Sequence, residues 1–194
     1  MSRVLIVHAS RHGGSAGIAE RIGQVLEEAG LDTVVGRARD LPDPRTFDAC
    51  IVGAGVYMGS WVDDGIKYLE RYGPVLATKP VWLFSSGPLP GSSMEPKNPT
   101  ADPLEIALGP AEGPGSGGRR KLEAAAAPIG PRDHKVFTGA FDRTDPPATL
   151  AERVVRIMPI ATRVLPEGDF RDWPAIEAWA KSIAATLMEP VPVG

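Results

Sequence analysis

Three short apolar runs, Val4-Leu5-Ile6-Val7, Ala49-Cys50-Ile51-Val52-Gly53 and Val81-Trp82-Leu83-Phe84-Ser85, are separated by stretches with helical periodicity. Continuous apolar runs of this length suit strands buried on both faces, and strands alternating with helices pair in parallel. A weaker run at residues 33–36 and a mixed one at residues 136–140 supply two more strands. The pattern predicts one doubly wound α/β domain over residues 1–194, built on a five-stranded parallel sheet. Helices are expected over residues 15–29, from Ser60 as N-cap to about Tyr72, and from a Thr149/Glu152 capping box to Pro159. A last helix should follow Asp172, with Pro174 in its first turn and an inward stripe of Trp173, Ile176, Ala180, Ile183, Ala184 and Leu187.

Composition narrows the function classes. With 194 residues the chain can bury a full core, and 43% hydrophobic with 23% charged residues is ordinary for a globular protein. A net charge of −3, with no basic run longer than Arg119-Arg120-Lys121, argues against a nucleic-acid partner. The lone cysteine, Cys50, lies inside an apolar strand, so neither a disulfide framework nor a cysteine metal site is expected. No apolar run reaches about 18 residues, and Arg11, His12 and Glu20 interrupt the N-terminal segment; the expectation is a cytoplasmic protein.

Ser10-Arg11-His12-Gly13-Gly14-Ser15 joins the first strand to the first helix. A helix start offers free backbone N–H groups and the positive end of the dipole, which together suit a phosphate. Gly13 and Gly14 let the backbone approach an anion, and Ser10 and Ser15 add hydroxyls. No Glu or Gln follows Ser15 by three residues to complete a capping box, which leaves the N–H groups for a ligand. An ordinary βα turn has the same composition. The loop lacks the Gly-Lys-Ser/Thr ending of a nucleotide P-loop and the G-x-G-x-x-G spacing of a dinucleotide site, so a mononucleotide such as FMN fits it better.

The Ser-x-x-Gly-x-Ser pattern after a first strand resembles the FMN-phosphate loop of flavodoxins. The chain is similar to the flavodoxin-domain family, and within it to the menaquinone-dependent protoporphyrinogen oxidase-like members, over residues 4–15, 47–59, 135–141 and 172–187. Only the first stretch is a specific motif. His12 stands where flavodoxins usually carry Thr; it removes a hydroxyl and brings an imidazole, with Arg11 adjacent. The resemblance implies a flavodoxin-like strand order 2-1-3-4-5, with FMN at the carboxyl ends of the first, third and fourth strands.

Two further loops would then face the flavin. In Gly53-Ala54-Gly55-Val56-Tyr57-Met58-Gly59-Ser60-Trp61 the glycines suit close passage past a flat ring. Tyr57 and Trp61 are candidates to stack on it, Trp61 alternatively packing on the next helix. Ser85-Ser86-Gly87 leaves the fourth strand, with the N–H groups of Ser86, Gly87 and Leu89 as donors, since Pro88 and Pro90 have none. Residues 88–131 hold nine of the 20 prolines and no Phe, Tyr or Trp, which predicts a flexible insertion, either a cover over the site or a segment with no role. Only residues 119–127 within it look helical.

The implied function is a two-electron FMN oxidoreductase working between a reduced substrate and a quinone or other flat acceptor. The alternative is a flavodoxin-type carrier passing electrons between redox proteins. Arg119-Arg120-Lys121 suits an anionic substrate group or a solvated helix start. Residues 149–165 carry an apolar face that is more often core than membrane surface. His8, His12 and His134 are too scattered to argue a metal site, and no catalytic residue is assigned.

Overall fold

The computed structural model describes residues 2–87, 103–113, 116–141 and 168–189. Its strands are β1 (Arg3–Ala9), β2 (Asp32–Arg37), β3 (Ala49–Tyr57), β4 (Ser60–Trp61), β5 (Val81–Ser86), β6 (Asp133–Phe137), β7 (Ala140–Phe141) and β8 (Gly168–Asp169). Five of them pair in parallel in the order β2-β1-β3-β5-β6, which is the expected 2-1-3-4-5 once the two-residue β4 is set aside. β4 folds back antiparallel on β3, and β7 pairs β8 in a separate two-stranded sheet. The helices are α1 (Gly14–Glu28), α2 (Asp63–Leu76), α3 (Pro103–Leu108), α4 (Gly117–Ala126) and α5 (Trp173–Met188).

Successive strand residues point to opposite faces, and each face has its own core. Leu5, Val7, Cys50, Val52, Val81 and Leu83 pack under α2, α3 and α4. Val4, Ile6, Ile51, Trp82, Phe84 and Phe137 pack under α1 and α5. β1, β3 and β5 are almost wholly buried, as their apolar runs require. Burial pushes the Cys50 thiol up to about 12, which makes it an inert core group.

Local departures from the sequence reading have local causes. Ser60 does not cap a helix. Met58 and Gly59 adopt positive φ (49° and 73°), a tight turn that returns Ser60 and Trp61 onto Tyr57 and Val56, so α2 starts at Asp63. β6 begins at Asp133 rather than Val136: an edge strand takes its ladder from the backbone and tolerates the polar Asp133-His134-Lys135. The described part of residues 88–131 holds two helices, where the sequence predicts one over residues 119–127. α3 and α4 bury Leu108, Leu122, Ala125 and Ala126 in the core beside α2, supplying the crossover that the parallel β5–β6 pair requires. α5 starts as expected, with Asp172 accepting the Ala175 N–H at 3.0 Å. Beyond the expected stripe, Trp179 is buried, and its Nε1 donates to Asp133 Oδ2 at 2.7 Å. The helix expected after Thr149 lies outside the described residues.

Gly53 sits where a Cβ would overlap the Phe84 ring. Gly53→Ala is expected to destabilise the fold by about 1–3 kcal/mol through overpacking. Urea denaturation should show a lowered midpoint with an unchanged slope, and Gly53→Ala/Phe84→Leu should recover part of the loss. Equal midpoints for the single variant and the parent would show that the ring moves freely.

Candidate functional site

Parallel strands bring the loops after β1, β3 and β5 to one edge of the sheet. Arg11 places its guanidinium carbon 4.9 Å from the centre of the Tyr57 ring, and the His12 and Tyr57 rings lie 5.9 Å apart, tilted by 57°. A Cβ on Gly55 would stand 3.0 Å from the Tyr57 ring and 3.8 Å from Ser15 Oγ, and one on Gly14 would stand 3.6 Å from Ser86 Oγ. The expected residues of all three loops are therefore neighbours. Ser10, Arg11 and Gly13 lie at the mouth, while His12, Gly14, Gly55, Gly59, Ser86 and Gly87 are buried. Val56 is half-buried against the α2 core, and Met58 is 87% exposed at the hairpin tip.

The head of α1 has the features of an anion site. Gly13 precedes it in the left-handed conformation (φ 75°), no side chain caps it, and its first turn holds no acidic residue. Its carbonyl accepts the Gly17 N–H at 3.0 Å, which leaves the N–H groups of Gly14, Ser15 and Ala16 without partners inside the helix. Nothing stands within 4 Å of where a Gly13 Cβ would be, so an ion has room to approach. These residues fit a phosphate by geometry and by dipole.

Three of the expected ligand-facing groups are engaged within the protein. Ser15 is 1% exposed, and its hydroxyl donates to the Ala9 carbonyl at 2.9 Å, so it ties α1 to β1 instead of offering its proton at the mouth. Trp61, 3% exposed, takes the second of its two expected roles: it packs in the core under α2, with no ring face left for a ligand. The Gly87 N–H is bound to the Phe137 carbonyl at 2.8 Å and is not a free donor. Leu89 lies outside the described residues.

Under the site runs a polar chain that no local motif announces. Trp61 Nε1 donates to Ser85 Oγ at 2.7 Å, and Ser85 Oγ lies 2.9 Å from His134 Nε2. The register Leu83↔His134 of β5 with β6 brings them together, so only the tertiary pairing reveals it. β7 closes the other side: the backbone of Ala140 would meet a Gly14 Cβ at 3.3 Å. His8, near the end of β1, is 9% exposed, and its Nδ1 has no hydrogen-bond partner among the described residues. Burial holds its pKa below the ordinary 6.5; Glu20 opposes that, Arg37 adds to it and Asp40 opposes it. Among the described residues there is no cluster of three or more His, Cys, Asp or Glu that could hold a metal, and no helix long and apolar enough to cross a membrane.

The family model described as Flavodoxin domain matches residues 5–144. Among solved structures, oxidised flavodoxin 2 from Bacillus cereus is similar at 17% identity with a TM-score of 0.56, over 95% of this chain and 99% of that one. A short-chain flavodoxin associated with a non-canonical PDU bacterial microcompartment is similar at 13% identity and a TM-score of 0.54, over 96% and 99%. The rubredoxin oxygen:oxidoreductase of Desulfovibrio gigas is similar at 13% identity and a TM-score of 0.52. This chain is 96% covered in that last match but spans 36% of the longer protein. At these identities the likeness is one of fold.

Two outcomes test the site's construction. Ser85→Ala strands the buried Trp61 N–H and should cost about 1–3 kcal/mol in urea denaturation. Trp61→Phe in the same background should cost less than the sum of the two single changes, and strict additivity would show that the pair is not coupled. For His8 the unfolded state binds the extra proton, so stability should fall as pH drops below about 6.5. His8→Phe should flatten that slope, measured by chemical denaturation across the range; an unchanged slope would assign it to other groups.

Proposed function

The chain belongs to the flavodoxin domain family, and on that footing we propose that it binds FMN non-covalently and passes electron pairs between a reduced substrate and a quinone-like acceptor. The observation that carries this reading is the uncapped head of α1, with its left-handed Gly13, acid-free first turn and open approach. FMN, when bound, supplies a ring that takes up and returns electrons. The amides of Gly14, Ser15 and Ala16 would hold its phosphate, with His12 and Arg11 alongside. Tyr57, held by Arg11 and packed over Gly55, offers the aromatic face nearest the loop. Trp61, Ser85 and His134 form the floor and keep water out. The exposed Met58 gives a flat acceptor an apolar contact at the rim. Resemblance to the menaquinone-dependent protoporphyrinogen oxidase-like members makes menaquinone analogues the first acceptors to try.

The protein mixed with FMN should quench flavin fluorescence at micromolar concentrations. Gly13→Val strains a left-handed backbone and fills the approach, so it should weaken binding on the order of a hundredfold, the loss of one or two charge-assisted hydrogen bonds. Thermal unfolding without FMN checks that the variant is folded. Reductive titration should pass directly from the oxidised to the fully reduced spectrum; a stable one-electron form would favour the carrier. Failure of the parent protein to bind FMN would end the reading.

A further inference from the structure

A second helix head stands beside this site. Only glycine at position 118 lets α4 seat on the β3–β4 hairpin, since a Cβ there would overlap the Gly59 carbonyl oxygen and Ser60. The start of α4 is thus fixed against Gly59 and Ser60, the turn that directly follows Tyr57 and Met58. Its first turn has no acidic residue and carries Arg119 and Arg120, with Lys121 next, positive charge where the helix dipole is already positive. Arg119 pairs with Glu123 at 2.7 Å and Lys121 with Asp63 at 3.0 Å. Arg120 is exposed and makes no ion pair among the described residues.

Ser116, the residue before the helix, supplies an independent observation. It is 1% exposed, yet its Oγ has no hydrogen-bond partner among the described residues. Its backbone is helical (φ −73°, ψ −6°) rather than extended, so its side chain makes no cap. A buried hydroxyl left unpaired is unfavourable, and one at an uncapped helix start is poised to bond an arriving oxyanion. The first α4 backbone bond runs from the Arg120 N–H to the Ser116 carbonyl at 3.0 Å, which leaves the Gly117 and Gly118 N–H groups without partners inside the helix. Gly117 is exposed with nothing within 4 Å of its Cβ position.

We propose that Ser116, the amides of Gly117 and Gly118 and the side chain of Arg120 form an oxyanion site. It holds the phosphate or carboxylate of the molecule that exchanges electrons beside Tyr57. The identity of that molecule as a redox substrate rests on the function proposed above; the anion site does not.

The test is an NMR titration of the ¹⁵N-labelled protein in the presence of FMN, with inorganic phosphate in one arm and acetate in the other. Ionic strength is held constant with sodium chloride. The amides of Gly117, Gly118 and Arg119 should shift saturably, and the tighter arm identifies the anion as a phosphate or a carboxylate. Ser116→Ala and Arg120→Ala, each checked for a native amide spectrum, should weaken binding about tenfold. Shifts that fail to saturate, that chloride reproduces, or that Arg120→Ala leaves unchanged would overturn the site. Flavin absorbance on the same sample separates the two ideas. Saturable α4 shifts in a protein that takes no flavin would keep the anion site and remove its redox role.

Discussion

In a parallel sheet every strand ends on the same side, and the chain must cross back, most often through a helix, before the next strand can begin. β1, β3 and β5 obey that constraint at the centre of this fold, paired Val4↔Ala49 to Ala9↔Ala54 and Cys50↔Val81 to Gly55↔Ser86. The loops after them therefore meet without any loop having to travel. The head of α1, the β3–β4 hairpin and the Ser85–Ser86 segment are brought within contact by backbone pairing alone. Side chains then decide only what those loops offer a ligand.

Close approach depends on side chains that are missing. Gly53 leaves room for the Phe84 ring, and Gly65 lets α2 lie against Ala54, Trp61 and Ala9 at 3.1–3.4 Å from where a Cβ would stand. Gly118 does the same for α4 on the hairpin. With these gaps filled by neighbours, Trp61 sinks into the core and its one polar atom must be satisfied there, which explains why Ser85 and His134 lie beneath it. Packing against α2 thus converts an aromatic expected at the mouth into part of the floor.

Legibility in the sequence follows the range of the interaction. The central strands were readable because burial on both faces forces an unbroken apolar run, and α5 because Asp172, Pro174 and the apolar stripe act within one or two turns. The joint between β1 and α1 is legible because strand, glycines and helix are contiguous, although the helix takes in Gly14 and Ser15 and leaves only residues 10–13 as loop. The hairpin at Met58-Gly59 was not, because a non-glycine residue at positive φ is held there by the returning strand and has no composition signal. His134 and Ala140 reach the site through the β5–β6 pairing and β7, long-range contacts that no window of sequence contains. α4 is legible in residues 119–127, within a residue or two of its observed bounds, whereas α3 is hidden by the surrounding proline and glycine, although the parallel β5–β6 pair requires a long crossover there.

Net charge proves a poor guide to what this edge of the molecule attracts. The chain as a whole carries −3, but the two helix heads beside Tyr57 have no acid in their first turns and bring Arg11, Arg119, Arg120 and Lys121. Glu123 and Asp63 are the counterweights, paired with Arg119 and Lys121, and the Asp63 carboxyl is held below the usual range chiefly by its bond to Lys121, so those charges are largely spent internally. At physiological salt a charge is felt over about 8 Å, so an approaching molecule responds to these local cations and amide dipoles, not to the distant acidic surface. Anion preference at the site and overall acidity are compatible because they act at different distances.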